Sequence, residues 1–122
     1  MHEYGIAEEV ARAIIRYSEE HGGAHPRTAW VGLGALSGLD PESLEEAYPI
    51  AAKGTAVEDV RLVVRIERAE CRCRGCGATL ALEGPVDLLL CEQCGSADFE
   101  CPPHARGTWL TRVELEEGPT NR

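Results

Sequence analysis

Only six of the 122 residues are aromatic, Met and Phe occur once each, and 12 Lys plus Arg face 21 Asp plus Glu, for a formal net charge of −9. So few cations argue against binding through the phosphate backbone, which normally calls for a basic face and a high isoelectric point. So few aromatics leave little from which to build a stacking platform for bases. No run of about 18 apolar residues is present to span a bilayer. The opening Met1-His2-Glu3 is not the basic stretch and apolar run of a secretion signal, so a soluble, cytoplasmic protein without a membrane partner is expected. Phosphate loops are missing too, because Gly32-x-Gly34 lacks both the remaining glycines and the Lys-Ser/Thr ending.

What remains is a chain with 43% hydrophobic residues and 13 glycines, enough for one compact domain with a small insertion. Ile6, Val10, Ile14 and Tyr17 recur at helical spacing with Glu8, Glu9, Arg12 and Arg16 between them, which predicts an amphipathic helix. Gly22-Gly23 and Pro26 should stop it near His21. Thr28 to Leu33 reads as a strand, and Asp40-Pro41 as the start of a second helix with Leu44, Ala47, Tyr48 and Ala51 as its stripe. Pro49 removes a donor and should kink or shorten that helix. Val60, Leu62, Val64 and Ile66 alternate with Arg61, Val63, Arg65 and Glu67, the period-two mark of a strand with one buried face. The same alternation returns from Trp109 to Glu116. The expected fold is α+β: a three-stranded sheet with two helices on one face, plus an inserted zinc-ribbon-like module. The expected boundaries are 1–70 and 105–117 for the sheet domain, 71–104 for the insertion and 118–122 for a flexible tail.

All six cysteines fall between Cys71 and Cys101. Cys73-Arg74-Gly75-Cys76-Gly77 and Cys91-Glu92-Gln93-Cys94-Gly95 are two copies of C-x-x-C-G, a spacing that lets one tight turn aim two sulfurs at one ion. Four thiolates suit a closed, structural zinc site, and a closed site leaves no open position for catalysis. No enzyme is therefore expected. Leu80, Leu82, Val86 and Leu88 to Leu90 are the candidate apolar core of the insertion, so metal must supply much of its folding free energy. Cys71 and Cys101 stand where the chain enters and leaves the module. They read as spare auxiliary thiols, a disulfide pair or alternative metal ligands.

At the N-terminus an α-amine, the His2 imidazole and an ionised amide between them can share a square-planar Ni(II) or Cu(II). On these residues alone, a lone His2 is more often simply a solvated residue. Glu3 either orients His2 or is a carboxylate favoured by the start of the helix dipole.

Taken together, Met1-His2-Glu3, Gly32-Leu33-Gly34-Ala35-Leu36-Ser37, Lys53-Gly54-Thr55, the paired Cys73/Cys76 and Cys91/Cys94, and Val113-Glu114 resemble the HypA/HybF family of nickel metallochaperones. The resemblance spans nearly the whole chain. It implies a nickel-binding α/β domain carrying a zinc domain, with labile Ni(II) held by His2, the Met1 amine and the backbone amides of His2 and Glu3. Zinc would take Cys73, Cys76, Cys91 and Cys94. The resemblance also implies delivery of nickel to the precursor of the [NiFe]-hydrogenase large subunit, together with a GTPase accessory protein and, in some organisms, urease accessory proteins. Cys71, Cys101 and Pro49 depart from the family pattern, and no family motif makes His104 a ligand.

The competing reading is a zinc-ribbon nucleic-acid or transcription accessory module, supported by Arg61, Arg65, Arg68, Arg72 and Arg74 on the approach to the cysteines. Against it stands the acidic whole. A simpler account is that these arginines line a solvated strand face or dock an acidic partner.

Overall fold

The computed structural model describes residues 2–86 and 88–116, without the side chain of His2. The expected tail at 118–122 lies outside the described residues. Among the described residues two helices and six strands follow in the order α1 (His2–Glu20), β1 (Pro26–Gly34), α2 (Pro41–Ala51), β2 (Arg61–Glu67), β3 (Ala69–Cys73), β4 (Thr79–Leu82), β5 (Phe99–Glu100) and β6 (Thr108–Leu115). A single 3-10 turn, Pro103–Arg106, precedes β6. The strands form two sheets, β2-β1-β6 and β4-β3-β5.

The described residues divide into two compact units, one drawn from 1–32, 41–65 and 109–122, the other from 33–40 and 66–108. In the first, α1 packs on α2. Ala7, Val10, Ala11 and Ile14 are its buried positions, while Ile6 and Tyr17 are half-buried at the margins, so the inward stripe is richer in alanine than the large apolar residues alone suggest. Small side chains there let another element approach closely. The helix stops as expected: Gly22 and Gly23 adopt φ of 77° and 79°, and the Gly23 amide returns to the Ser18 carbonyl at 2.8 Å. Pro49 lies in the last turn of α2, which ends two residues later, so the proline shortens the helix.

Tyr48 carries the most informative contact of this unit. Its side chain is 1% exposed, and its hydroxyl donates to the Val57 carbonyl at 2.7 Å. That bond ties α2 to the loop leading into β2. Lys53-Gly54-Thr55 forms the turn between them: Gly54 has φ of 83°, and the Thr55 hydroxyl donates to the Ala52 carbonyl at 2.6 Å. At β2 the Val64 amide donates to the Glu45 carboxylate at 2.7 Å, so a side chain of α2 satisfies a donor of this edge strand.

The second unit is built around Ala35, Cys71 and Leu82, with Leu36, Ile66, Leu80, Val86, Leu89, Phe99 and Cys101 packed against them. It includes β3, which begins at Ala69 and pairs antiparallel with β4 from Ala69↔Leu82 to Arg72↔Thr79. It also takes in residues 33–40, where the Leu36 amide donates to the Ala105 carbonyl at 2.7 Å and Val86 donates to Ala35 at 2.9 Å. Gly34 is required in this segment, since a Cβ there would overlap the Ala105 carbonyl. Two expected core residues turn outward, Leu88 at 71% exposure and Leu90 at 48%. Leu89, between them, is half-buried and packs against the cluster.

Candidate metal centre

The two C-x-x-C-G segments fold as near copies. In the first, the Gly77 amide donates to the Cys73 carbonyl and the Cys73 amide to Ala78; in the second, Gly95 donates to Cys91 and Cys91 to Ser96, all four at 2.8 Å. Gly77 and Gly95 take φ of 82° and 78°, the left-handed conformation that closes each turn and that side chains disfavour. Gly75 has negative φ but tight surroundings, since a Cβ there would press on the Cys94 sulfur and the Ser96 Cβ at 3.3 Å.

These turns bring Cys73, Cys76, Cys91 and Cys94 together with every sulfur within 4.8 Å of the others. The Cys73 and Cys94 sulfurs lie 3.5 Å apart, and those of Cys76 and Cys91 3.6 Å. Sulfurs at about 2.3 Å from a tetrahedral ion sit roughly 3.8 Å from one another. The cluster therefore has nearly the size of such a coordination shell, and its all-sulfur donor set suits a soft or borderline metal. Cys73 and Cys91 are buried while Cys76 and Cys94 are exposed, so the site lies at the surface of its unit.

Electrostatics divide the four thiols into two kinds. The Cys76 amide, donating to the Cys73 sulfur, leads the effects that draw that thiol down to about 7. The Cys94 and Gln93 amides likewise lower Cys91. At Cys94 the Ser96 amide pulls downward, but sharing with the Cys73 sulfur, burial and the other two sulfurs outweigh it and push the thiol up to about 12. Cys76 is raised as well: the Ala78 amide opposes the rise, while the Cys91 sulfur and burial cause it. Without a cation, four thiolates cannot crowd together, so two sulfurs keep their protons. A divalent metal would displace them.

The remaining cysteines are placed apart from this set. Cys71 and Cys101 are joined by a disulfide across the 30-residue span that contains all four cluster cysteines. Nothing in the spacing distinguished that pairing from spare thiols; the β3–β5 register decides it. His104 is not in the four-sulfur set, and its Nε2 lies 3.0 Å from the Arg68 carbonyl. Of the arginines on the approach, Arg68 pairs with Glu70 and Glu83 at 3.2 and 3.1 Å, and Arg74 with Asp98 at 3.3 Å. These exposed pairs break up the basic run that would have favoured nucleic acid. Met1 and the side chain of His2 lie outside the described residues, while Glu3 is half-buried in the first turn of α1.

A family model described as HypA, hydrogenase/urease nickel incorporation metallochaperone, matches residues 1–115. This chain belongs to the HypA family. The hydrogenase maturation factor HypA of Thermococcus sibiricus is 30% identical over 95% of this chain and 97% of its own. That of Archaeoglobus fulgidus is 37% identical over 78% and 82%, and that of Aquifex aeolicus 33% over 95% and 98%. A solution structure of a HypA protein matches with a TM-score of 0.61 at 20% identity over 95% of this chain and 97% of that one. The solution structure of the nickel metallochaperone HypA from Helicobacter pylori matches with a TM-score of 0.51 at 24% identity, over 88% and 95%. At these identities the two structures establish the fold. HypA is by its family a metallochaperone and maturation factor rather than a catalyst, and no described helix of this member is long and apolar enough to cross a membrane.

Proposed function

We propose that this HypA-family chain carries Ni(II) as cargo at its N-terminus and passes it to the precursor of a [NiFe]-hydrogenase large subunit, while zinc in the four-cysteine cluster holds the second unit in shape. The observation that carries the reading is the family match across residues 1–115, which includes both Met1-His2-Glu3 and the paired cysteines. Nickel would be bound by the Met1 amine, the His2 imidazole and the amides of His2 and Glu3, a nitrogen set that suits square-planar Ni(II). Residues 1–70 and 105–117 would form the nickel-handling domain, working in the cytoplasm with a GTPase accessory protein and, in some settings, urease accessory proteins. Zinc is favoured at the cluster because four cysteines of near-tetrahedral size close the coordination shell and supply shape rather than exchange.

Nickel titration of untagged protein with zinc already bound tests this. One labile nickel per chain is expected, lost on His2→Ala and on extension of the chain before Met1, with zinc retained in both. Unchanged nickel stoichiometry and affinity in the extended form would overturn the N-terminal assignment. Zinc alone, accompanied by salt-sensitive DNA binding, would overturn the chaperone reading.

A further inference from the structure

The outer face of the first unit's sheet has a charge opposite to that of the whole chain. Along β1, Ala29 and Val31 are buried while Thr28 before them and Trp30 between them are only half-buried; along β2, Leu62 and Val64 are buried while Arg61 and Arg65 are exposed and Val63 is half-buried. Strands β1 and β2 are neighbours, so Trp30, Val63, Arg61 and Arg65 share the face turned away from the buried residues. Arg112 of β6, on the other side of β1, joins them by placing its guanidinium 4.6 Å from the centre of the Trp30 ring. The Thr111 hydroxyl donates to the Trp30 carbonyl at 3.0 Å and anchors the strand beside it. Among the described residues no carboxylate forms an ion pair with Arg61, Arg65 or Arg112. Three of the chain's 12 cations thus share this face with one half-buried indole, against the single carboxylate of Glu114 that the same alternation of β6 turns outward beside Arg112, in a protein of net charge −9.

We propose that this face, formed by Trp30, Val63, Arg61, Arg65 and Arg112, docks an acidic segment of a partner protein. Four steps along a strand cover about 13 Å and two strand spacings about 10 Å, so the three guanidinium groups border a patch that an extended peptide of roughly four residues would cover. Screening limits the reach of charge to about 8 Å at physiological salt, so a segment seated there meets the arginines more strongly than the acidic remainder. Guanidinium forks bind carboxylates in two-pronged fashion, and Trp30 with Val63 offers an apolar floor for a side chain between them. A peptide fits better than a polynucleotide for two reasons. The ring face on which a base would stack already carries Arg112, and a long phosphate chain would run beyond the patch onto a strongly acidic protein. This proposal does not rest on the metal reading, and its failure would leave that reading untouched.

The test uses the full, zinc-loaded, isotopically labelled chain and a synthetic peptide alternating Glu and Leu, with a Lys-for-Glu peptide and oligothymidylate of equal charge as comparisons. Binding of the Glu-Leu peptide should move the Trp30 indole and the arginine Nε signals of Arg61, Arg65 and Arg112, weaken with salt, and fall at least about tenfold in the double variant Arg61→Glu, Arg65→Glu. Should that variant misfold, Arg61→Gln with Arg65→Gln is expected to weaken binding in the same direction. The proposal is overturned if the peptide does not bind, if folded variants bind it unchanged, or if oligothymidylate binds more tightly than the peptide.

Discussion

Cys71 and Cys101 stand opposite each other, their Cα atoms 4.4 Å apart and their sulfurs bonded, one step beyond the paired positions Arg72↔Glu100 and Cys73↔Phe99. Cys71 is also two residues from Cys73, so one short strand supplies both a disulfide partner and a cluster sulfur. The disulfide and the cluster close overlapping loops without sharing an atom.

Reduction of Cys71–Cys101 should therefore release two thiols and leave the metal in place. Thiol counting and metal analysis of the zinc-loaded chain, before and after mild reductant, measure both at once. Loss of zinc in step with the disulfide would show that the two sites are not independent.

The stabilising effect of the disulfide should depend on the metal. Closing a loop of 30 residues restricts the unfolded chain by about 3.6 kcal/mol, whereas a metal already holding Cys73 and Cys94 leaves only roughly ten residues to close, for about 2.7 kcal/mol. Cys101→Ser should thus destabilise the metal-free second unit more than the loaded one. Denaturant melts with and without zinc, followed by a probe in that unit, give the difference.

Metal binding should strengthen steeply with pH. The raised Cys76 and Cys94 keep their protons near neutrality in the metal-free cluster, while Cys73 ionises near 7. Zinc takes thiolates, so loading releases about two protons near pH 7.5, and each released proton gives about a tenfold rise in apparent affinity per pH unit. Affinity falls as pH drops because protons compete for the sulfurs. Chelator competition at pH 6.5 and 7.5 should show a change on the order of 100-fold; a flat profile would mean that the sulfurs are already ionised.

Tyr48→Phe should weaken the first unit by about 1 kcal/mol without touching the cluster. It deletes the shorter of two hydrogen bonds to the Val57 carbonyl, which keeps only the Val60 amide at 3.2 Å, and removes a polar tie from a buried ring. Chemical denaturation at constant zinc occupancy provides the value.

Gly34→Ala should be worse, at about 3 kcal/mol or more, because the new methyl meets backbone at Ala105 that cannot rotate away. Gly38→Ala is the matching control: nothing crowds its Cβ position, but φ of 84° makes the left-handed turn costly by about 1 kcal/mol. Thermal melts of the two variants should separate a clash from backbone strain.

The amino-acid sequence by itself determined both helices, the three strands of the β2-β1-β6 sheet and the four clustered cysteines. Each rests on a local rule: period 3.6 in α1, period two in β2, Gly22-Gly23 as a stop, and two cysteines per tight turn. Short β4 and β5 carry too few residues for any period to show, and the alternation at Leu88 to Leu90 was hidden inside a uniformly apolar run. Residues 34–39 fall between the strand read to Leu33 and the helix start at Asp40-Pro41, yet Ala35 supplies a buried member of the second unit's core. Only the tertiary structure decided that, together with the partner of Cys71 and the meeting of Arg112 with Trp30. All three depend on residues tens of positions apart reaching the same place, which strand register controls and local periodicity does not encode.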